Sequence, residues 1–154
     1  MSKKAIGFLL ATFTLVAVII YSVQNPPTAD AQIVNYKSES CGCCKMWQDH
    51  LIDNAYTVEG VNVDRMDLKK DELGVPQNLR SCHTAVVEGY IVEGHVPAKE
   101  IQRLLLEKPD AKGLAVPGMP INSPGMEVEG APNDPYDVIV FYEDGRQEVY
   151  ASYR

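Results

Sequence analysis

An α/β domain, built as a mixed sheet with flanking helices and a C-terminal β-hairpin, is the class the sequence predicts. Three observations predict it. Short alternating apolar runs recur at 32–37, 58–63, 84–87 and 90–92. Two other segments, one beginning near Cys41 and one at Val96-Pro97, carry their apolar residues at helical spacing instead. A last pair of alternating runs, 136–142 and 147–150, is joined by Glu143-Asp144-Gly145, a hairpin signal. Strand, helix, strand, hairpin and helix is a thioredoxin-like order.

Taken in order, the strand at Gln32 to Lys37 alternates through Ile33, Val34 and Tyr36 and ends at Ser38 to Ser40. The helix after it starts near Cys41 to Cys44 and runs to about Asn54, burying Trp47, Leu51 and Ile52. Val58 to Val63 is the second strand, and Asp67 to Gly74 is a polar, helical connection. Val75-Pro76 then forces an extended approach, because proline disfavours helix in the residue before it. Thr84 to Val87 and Tyr90 to Val92 flank Glu88-Gly89, a two-residue hairpin turn. Pro97 opens a helix that turns Ile101, Leu104 and Leu105 inward and stops before Pro109. Gly113 to Pro135 is a long Gly/Pro-rich loop, of a length that in ordered proteins is usually functional. No internal repeat is present.

The chain of 154 residues is one domain's worth, and 45% hydrophobic residues suffice for a core. Its net charge of −7, with no stripe of Lys or Arg, excludes nucleic acid as a partner, since phosphates demand a clustered cationic surface. Lys3 and Lys4 precede an apolar stretch from Ala5 to Val23, and Ala29-Asp30-Ala31 supplies an A-x-A cleavage site. Residues 1–31 therefore read as a signal peptide. The stretch is long enough to serve as an uncleaved N-terminal anchor, which would be the chain's one route to a membrane. In both cases 32–154 is exported as the functional domain.

Chemistry concentrates in the sulfurs. Cys41, Gly42, Cys43 and Cys44 pack three thiols into four residues, and Cys82 follows beside His83. Three cysteines in one turn cannot all staple distant segments, although a Cys41–Cys44 bridge with a Cys43–Cys82 bridge is a purely structural alternative. Cys41 and Cys44 share one side of a helical turn, from which Cys43 would point away. Gly42 can relax that constraint by taking a positive φ and leaving 41–43 as a loop into the helix. Thiols at a helix N-terminus tend toward thiolate, both the nucleophile and the metal ligand, so the site is redox-active, metal-binding or both. Cys41, Cys44, Cys82 and His83 nominally make a tetrahedral zinc set. Crowded thiolates with the thioethers of Met119 and Met126 in the long loop favour Cu(I) instead, in a small cysteine-bridged cluster. Cys82 and His83 both reach the site only if they lie in the loop before the strand.

Other candidates are weaker. His50 sits well over a turn beyond Cys44 and reads as solvated or structural. His95 could reach the site, but packing at the helix entry is the simpler account. Trp47 reads as core. Asp64, Asp67, Asp71 and Glu72 form a solvated face. There is no nucleophilic Ser/His/Asp pattern, P-loop or dinucleotide fingerprint.

The segments CGCCKMW (Cys41 to Trp47), GVPQNLRSCHTAVVEGYIVEGHVPAKEI (Gly74 to Ile101) and GLAVPGMPINSPGME (Gly113 to Glu127) resemble the exported CopG-like copper-resistance family, also known as a conserved domain of unknown function. The resemblance spans about Gln32 to Tyr150 and implies a thioredoxin-like periplasmic domain that binds copper through clustered cysteines. It implies copper ions as cargo, other periplasmic copper-handling proteins as partners, and a role in copper resistance with redox chemistry as an alternative. Matched by position, Cys41, Cys43, Cys44, Cys82 and His83 take the family's cysteine and histidine places, and Met119 and Met126 its Met-bearing loop. The chain departs at Glu39, where proline is common, and at Asn122, where glycine is common; neither departure removes a ligand.

Overall fold

The computed structural model describes residues 31–154. The leader expected over 1–31 therefore lies, apart from Ala31, outside the described residues, and Ala31 itself is buried in the core. The elements are β1 (Gln32–Lys37), α1 (Gly42–Asp53), β2 (Thr57–Asn62), α2 (Met66–Glu72), a 3-10 turn (Gln77–Leu79), β3 (Thr84–Val87) and β4 (Tyr90–Glu93). They continue with α3 (Ala98–Glu107), β5 (Gly113–Ala115), β6 (Tyr136–Phe141) and β7 (Gln147–Tyr153).

All strands join one seven-stranded mixed sheet in the order β2-β1-β3-β4-β5-β6-β7. β1 and β2 are parallel, as their crossover through α1 requires, whereas β3 runs antiparallel to both β1 and β4. The β3–β4 turn forms as expected: Glu88 and Gly89 both have positive φ, 45° and 88°, the backbone that matches strand twist in a two-residue hairpin. α3 ends at Lys108 in the left-handed region, immediately before Pro109. Pro97 is the cap of α3 rather than its first helical residue.

Alternation along the strands gives two buried faces. Ile33, Ala85, Val87, Val92, Leu114, Val138 and Val140 pack with Trp47 and Leu51 of α1 and with Ile101, Leu104 and Leu105 of α3. Ile91, Ala115 and Phe141 face the other way, toward Val75 and Leu79 around the 3-10 turn. Burying a side chain of this size contributes roughly 1.5–3 kcal/mol, so the first cluster fixes α1 and, with it, the cysteines at its start.

Three expectations change. Ile52, expected on the buried side of α1, is 52% exposed, because the next position round the helix from Leu51 turns away from the sheet. The long loop from Gly113 begins with a strand, β5, held parallel to β4 and antiparallel to β6. Three residues are too few to show a period, and the bracketing strands, not local propensity, make this one extended. β7 also runs three residues past Tyr150, to Tyr153.

Candidate metal centre

Cys41 is the N-cap of α1 with extended backbone, φ −76° and ψ 96°. Its N–H donates to the Ser38 carbonyl at 3.2 Å, a turn that lays the end of the β1 connection over the helix start. From there its side chain reaches Cys44, with which it forms a disulfide, and its Sγ lies 3.6 Å from that of Cys43. Gly42 is already helical and lies outside the left-handed region, so the expected glycine kink is not what gathers the sulfurs. The extended N-cap does it. No side chain caps this helix and its own first turn holds no acidic residue, so the positive end of the helix dipole is left facing the sulfurs.

Cys82 arrives from the neighbouring strand, since the antiparallel register sets Thr84 at the start of β3 opposite Tyr36 near the end of β1. Cys82 and His83 occupy the loop before β3, as both needed in order to reach the site. Cys82 Sγ lies 3.8 Å from Cys43 Sγ, and the sulfurs of Cys41, Cys43, Cys44 and Cys82 all fall within 4.8 Å of one another. A buried ion pair holds this loop in place. Lys70 Nζ of α2 meets Glu93 Oε1 at 2.5 Å and donates to Thr84 Oγ1 at 2.9 Å, while Thr84 donates to Glu93 Oε2 at 2.6 Å. The Ser81 N–H, next to Cys82, donates to Glu93 Oε1 at 2.6 Å.

Two imidazoles flank Cys82. His95 Nε2 is 3.1 Å from Cys82 Sγ, and its Nδ1 is 2.8 Å from the Pro124 carbonyl. A carbonyl only accepts, so Nδ1 carries the proton and Nε2 presents its lone pair to the sulfur. His83 Nδ1 is 3.3 Å from the same sulfur, and its ring packs 4.4 Å from Trp47 and edge-on to His95 at 5.0 Å. His83 Nε2 is buried with no partner. Burial holds the pKa of His83 well below the usual histidine range, with the Lys70 charge, and that of His95 when protonated, adding to the effect. Burial also lowers His95, against the raising influence of the Pro124 carbonyl and Glu127. Both rings are thus neutral donors at neutral pH. Burial, reinforced by the Cys43 sulfur, pushes the Cys82 thiol up to about 12, so metal binding there must displace a proton.

The loop carrying the methionines is fastened to both halves of the site. Gly125 has φ +81°, and a Cβ there would lie 2.5 Å from the Trp47 nitrogen and 3.0 Å from the Cys43 carbonyl oxygen; only glycine fits so close to the first turn of α1. Ser81 Oγ donates to the Gly118 carbonyl, tying the other end of the loop beside Cys82. Met126 is half-buried next to Gly125, and Met119 is 53% exposed next to Gly118.

The arrangement keeps one half of the two-disulfide alternative: Cys41–Cys44 is bridged while Cys43 and Cys82 are free. His50 is structural, its Nε2 accepting from the Ala98 N–H at the start of α3 at 3.2 Å. Trp47 is fully buried core and donates through Nε1 to the Val96 carbonyl at 2.9 Å. His95 corrects the simpler account, since it joins Cys82 and His83 in a second group whose ligand atoms lie within 4.8 Å of one another. A signal for it existed: the Val87↔Tyr90 turn pair and the Thr84↔Glu93 register, continued two steps, set Cys82 opposite His95. An open cleft of about 550 Å³ with ion-paired walls, including Lys112 and Glu143, shares no residue with the sulfur cluster. Among the described residues, no helix is long and apolar enough to cross a membrane.

The model of a family described as a protein of unknown function, DUF411, matches residues 79–126, which hold Cys82, His83, His95 and both loop methionines. Two solved structures of the copper resistance protein CopG are similar over most of the chain. Form 2 is 43% identical with a TM-score of 0.77, covering 81% of this chain and 99% of its own. Form 1 is 44% identical with a TM-score of 0.75, covering 79% of this chain and 96% of its own. No curated protein matches the sequence.

Proposed function

The chain belongs to the CopG copper-resistance family, and from that premise we propose that it is an exported protein that holds Cu(I) in the periplasm as several ions bridged by shared cysteine sulfurs. The observation that carries this reading is the convergence of four sulfurs within 4.8 Å, gathered from two distant segments at an uncapped helix N-terminus. Thiolates are soft, charge-neutralising ligands matched to Cu(I), and a thiolate can bridge two ions where zinc would take one tetrahedral set. His83 and His95 supply neutral imidazoles beside Cys82, and the fastened loop offers Met126 and Met119 to complete coordination. Using all four sulfurs requires a dithiol reductant to open the Cys41–Cys44 bridge first. The leader fits export, and the cargo fits exchange with other periplasmic copper-handling proteins.

A Cys44→Ser protein tests this function. It is expected to bind fewer Cu(I) ions per chain than the reduced wild type, whereas unchanged stoichiometry would sink the proposal.

A second reading, a thiol-disulfide or copper oxidoreductase, is favoured by one observation: the Cys41–Cys44 disulfide spans a C-x-x-C segment at a helix N-terminus. It predicts dithiol-dependent insulin reduction or cycling between Cu(I) and Cu(II). A chain inert in both assays eliminates it.

A further inference from the structure

We propose that the four cysteines form an internal exchange relay, in which Cys43 moves the disulfide from the Cys41–Cys44 pair to a Cys43–Cys82 pair. The proposal rests on sulfur geometry and not on the copper reading. Cys43 and Cys82 are free, and Cys43 contacts both of its exchange partners within one compact sulfur cluster, 3.6 Å from Cys41 and 3.8 Å from Cys82. Cys44 is fully buried, whereas Cys41, Cys43 and Cys82 are each partly exposed. A disulfide between Cys41 and Cys44 is therefore shielded on one side and open to attack at Cys41.

The steps balance without an outside oxidant. The Cys43 thiolate attacks Cys41 Sγ, a Cys41–Cys43 bond forms, and the Cys41–Cys44 bond breaks. Cys44 leaves as thiolate and takes up the proton that Cys43 lost. Cys82 then gives up its proton and attacks Cys43 Sγ, a Cys43–Cys82 bond forms, the Cys41–Cys43 bond breaks, and Cys41 leaves as thiolate and takes up the proton that Cys82 lost. His95 Nε2, 3.1 Å from Cys82 Sγ, is placed to take the Cys82 proton during this second step. One disulfide and two thiols are present before and after.

The consequence is a choice of which sulfurs can meet a metal. With Cys41–Cys44 bridged, the free pair is Cys43 and Cys82, beside His83 and His95. With Cys43–Cys82 bridged, the free pair is Cys41 and Cys44, at the end of α1. The relay thus turns a two-electron oxidation of the site into two distinct partly loaded sites.

The test uses the full chain, metal-free, anaerobic and with chelator present. Fully reduced protein receives one equivalent of diamide and is acid-quenched at intervals, after which free thiols are alkylated and the chain is digested with trypsin. Cys41, Cys43 and Cys44 fall in the peptide 38–45 and Cys82 in 81–99, so any bridge to Cys82 appears as a cross-linked pair. The expected result is a cross-linked fraction that keeps rising after the diamide is consumed, while the disulfide count per chain stays constant and the rate is unchanged on dilution. Cys43→Ser and Cys43→Ala should both lack this rise. The relay is overturned if the cross-linked fraction is fixed from the moment the oxidant is consumed, if Cys82 is alkylated in every chain, or if the Cys43 variants cross-link as the wild type does. None of these outcomes touches the Cu(I) stoichiometry of the reduced chain, so failure of the relay is distinguishable from failure of the copper proposal.

Discussion

Replacing Lys70 by Met tests how the Cys82 loop is held. Lys70 and Glu93 are 5% and 0% exposed with a 2.5 Å contact. At an effective dielectric of about 20, that contact is worth roughly 7 kcal/mol of gross attraction. Dehydrating two ions costs several kcal/mol each, so the net stabilisation of the pair is small. Removing one partner is a different matter. Lys70→Met leaves the Glu93 carboxylate buried with only the Thr84 hydroxyl and the Ser81 N–H, a loss of about 3–5 kcal/mol. Glu93→Gln in the same chain removes the charge but keeps an acceptor for Ser81, so the double variant should be more stable than Lys70→Met alone. Urea unfolding followed by the single tryptophan, buried Trp47, measures both. A loss below about 1 kcal/mol for Lys70→Met, or a double variant no more stable than the single, would refute the buried-pair reasoning.

Other perturbations separate the loop, the histidines and the helix contact. Gly125→Ala places a Cβ against Trp47 at φ +81° and should cost about 1–3 kcal/mol in urea unfolding while weakening Cu(I) retention against a chelator. His95→Gln should weaken Cu(I) affinity by about 10–100-fold, as loss of a ligand or of its oriented neighbour does, with a chelator competition as the readout. Burial lowers the pKa of His50, His83 and His95 in the folded chain below the ordinary 6.5. The unfolded chain therefore binds protons first, and the stability these rings contribute is complete above pH 6.5 and lost as pH falls below it. Urea midpoints of the metal-free protein should decline beneath that pH, stay flat from it up to the ordinary thiol pKa of 9.0, and fall again above that, where the raised Cys82 thiol favours the unfolded chain. His50→Gln should flatten part of the decline, because protonating His50 removes the acceptor for the Ala98 N–H.

Elements with a strong period or a defined turn were legible in the sequence. Trp47 and Leu51 on α1, Ile101 and Leu104 on α3, and the Glu88-Gly89 turn all fall where spacing and turn chemistry put them. β5 was not legible, because its three residues are extended only by the strands on either side. At the site, the four cysteines were visible as residue types, but their convergence has another cause than Gly42. The extended Cys41 N-cap produces it, and no residue type announces that backbone. His95 was legible in principle through the hairpin register, yet beside a helix start it passed for packing. The Lys70–Glu93 pair brings together two elements 23 residues apart, and nothing local marks either residue as buried.

The most direct measurement of the proposed copper centre is an anaerobic Cu(I) titration of the fully reduced chain against a competing chelator, with free thiols counted at saturation. More than one tightly held Cu(I) per chain with all four thiols consumed is the expected result. Binding no greater than that of a chain with all four cysteines changed to serine, or saturation with the thiols still free, would contradict a cysteine-bridged copper site.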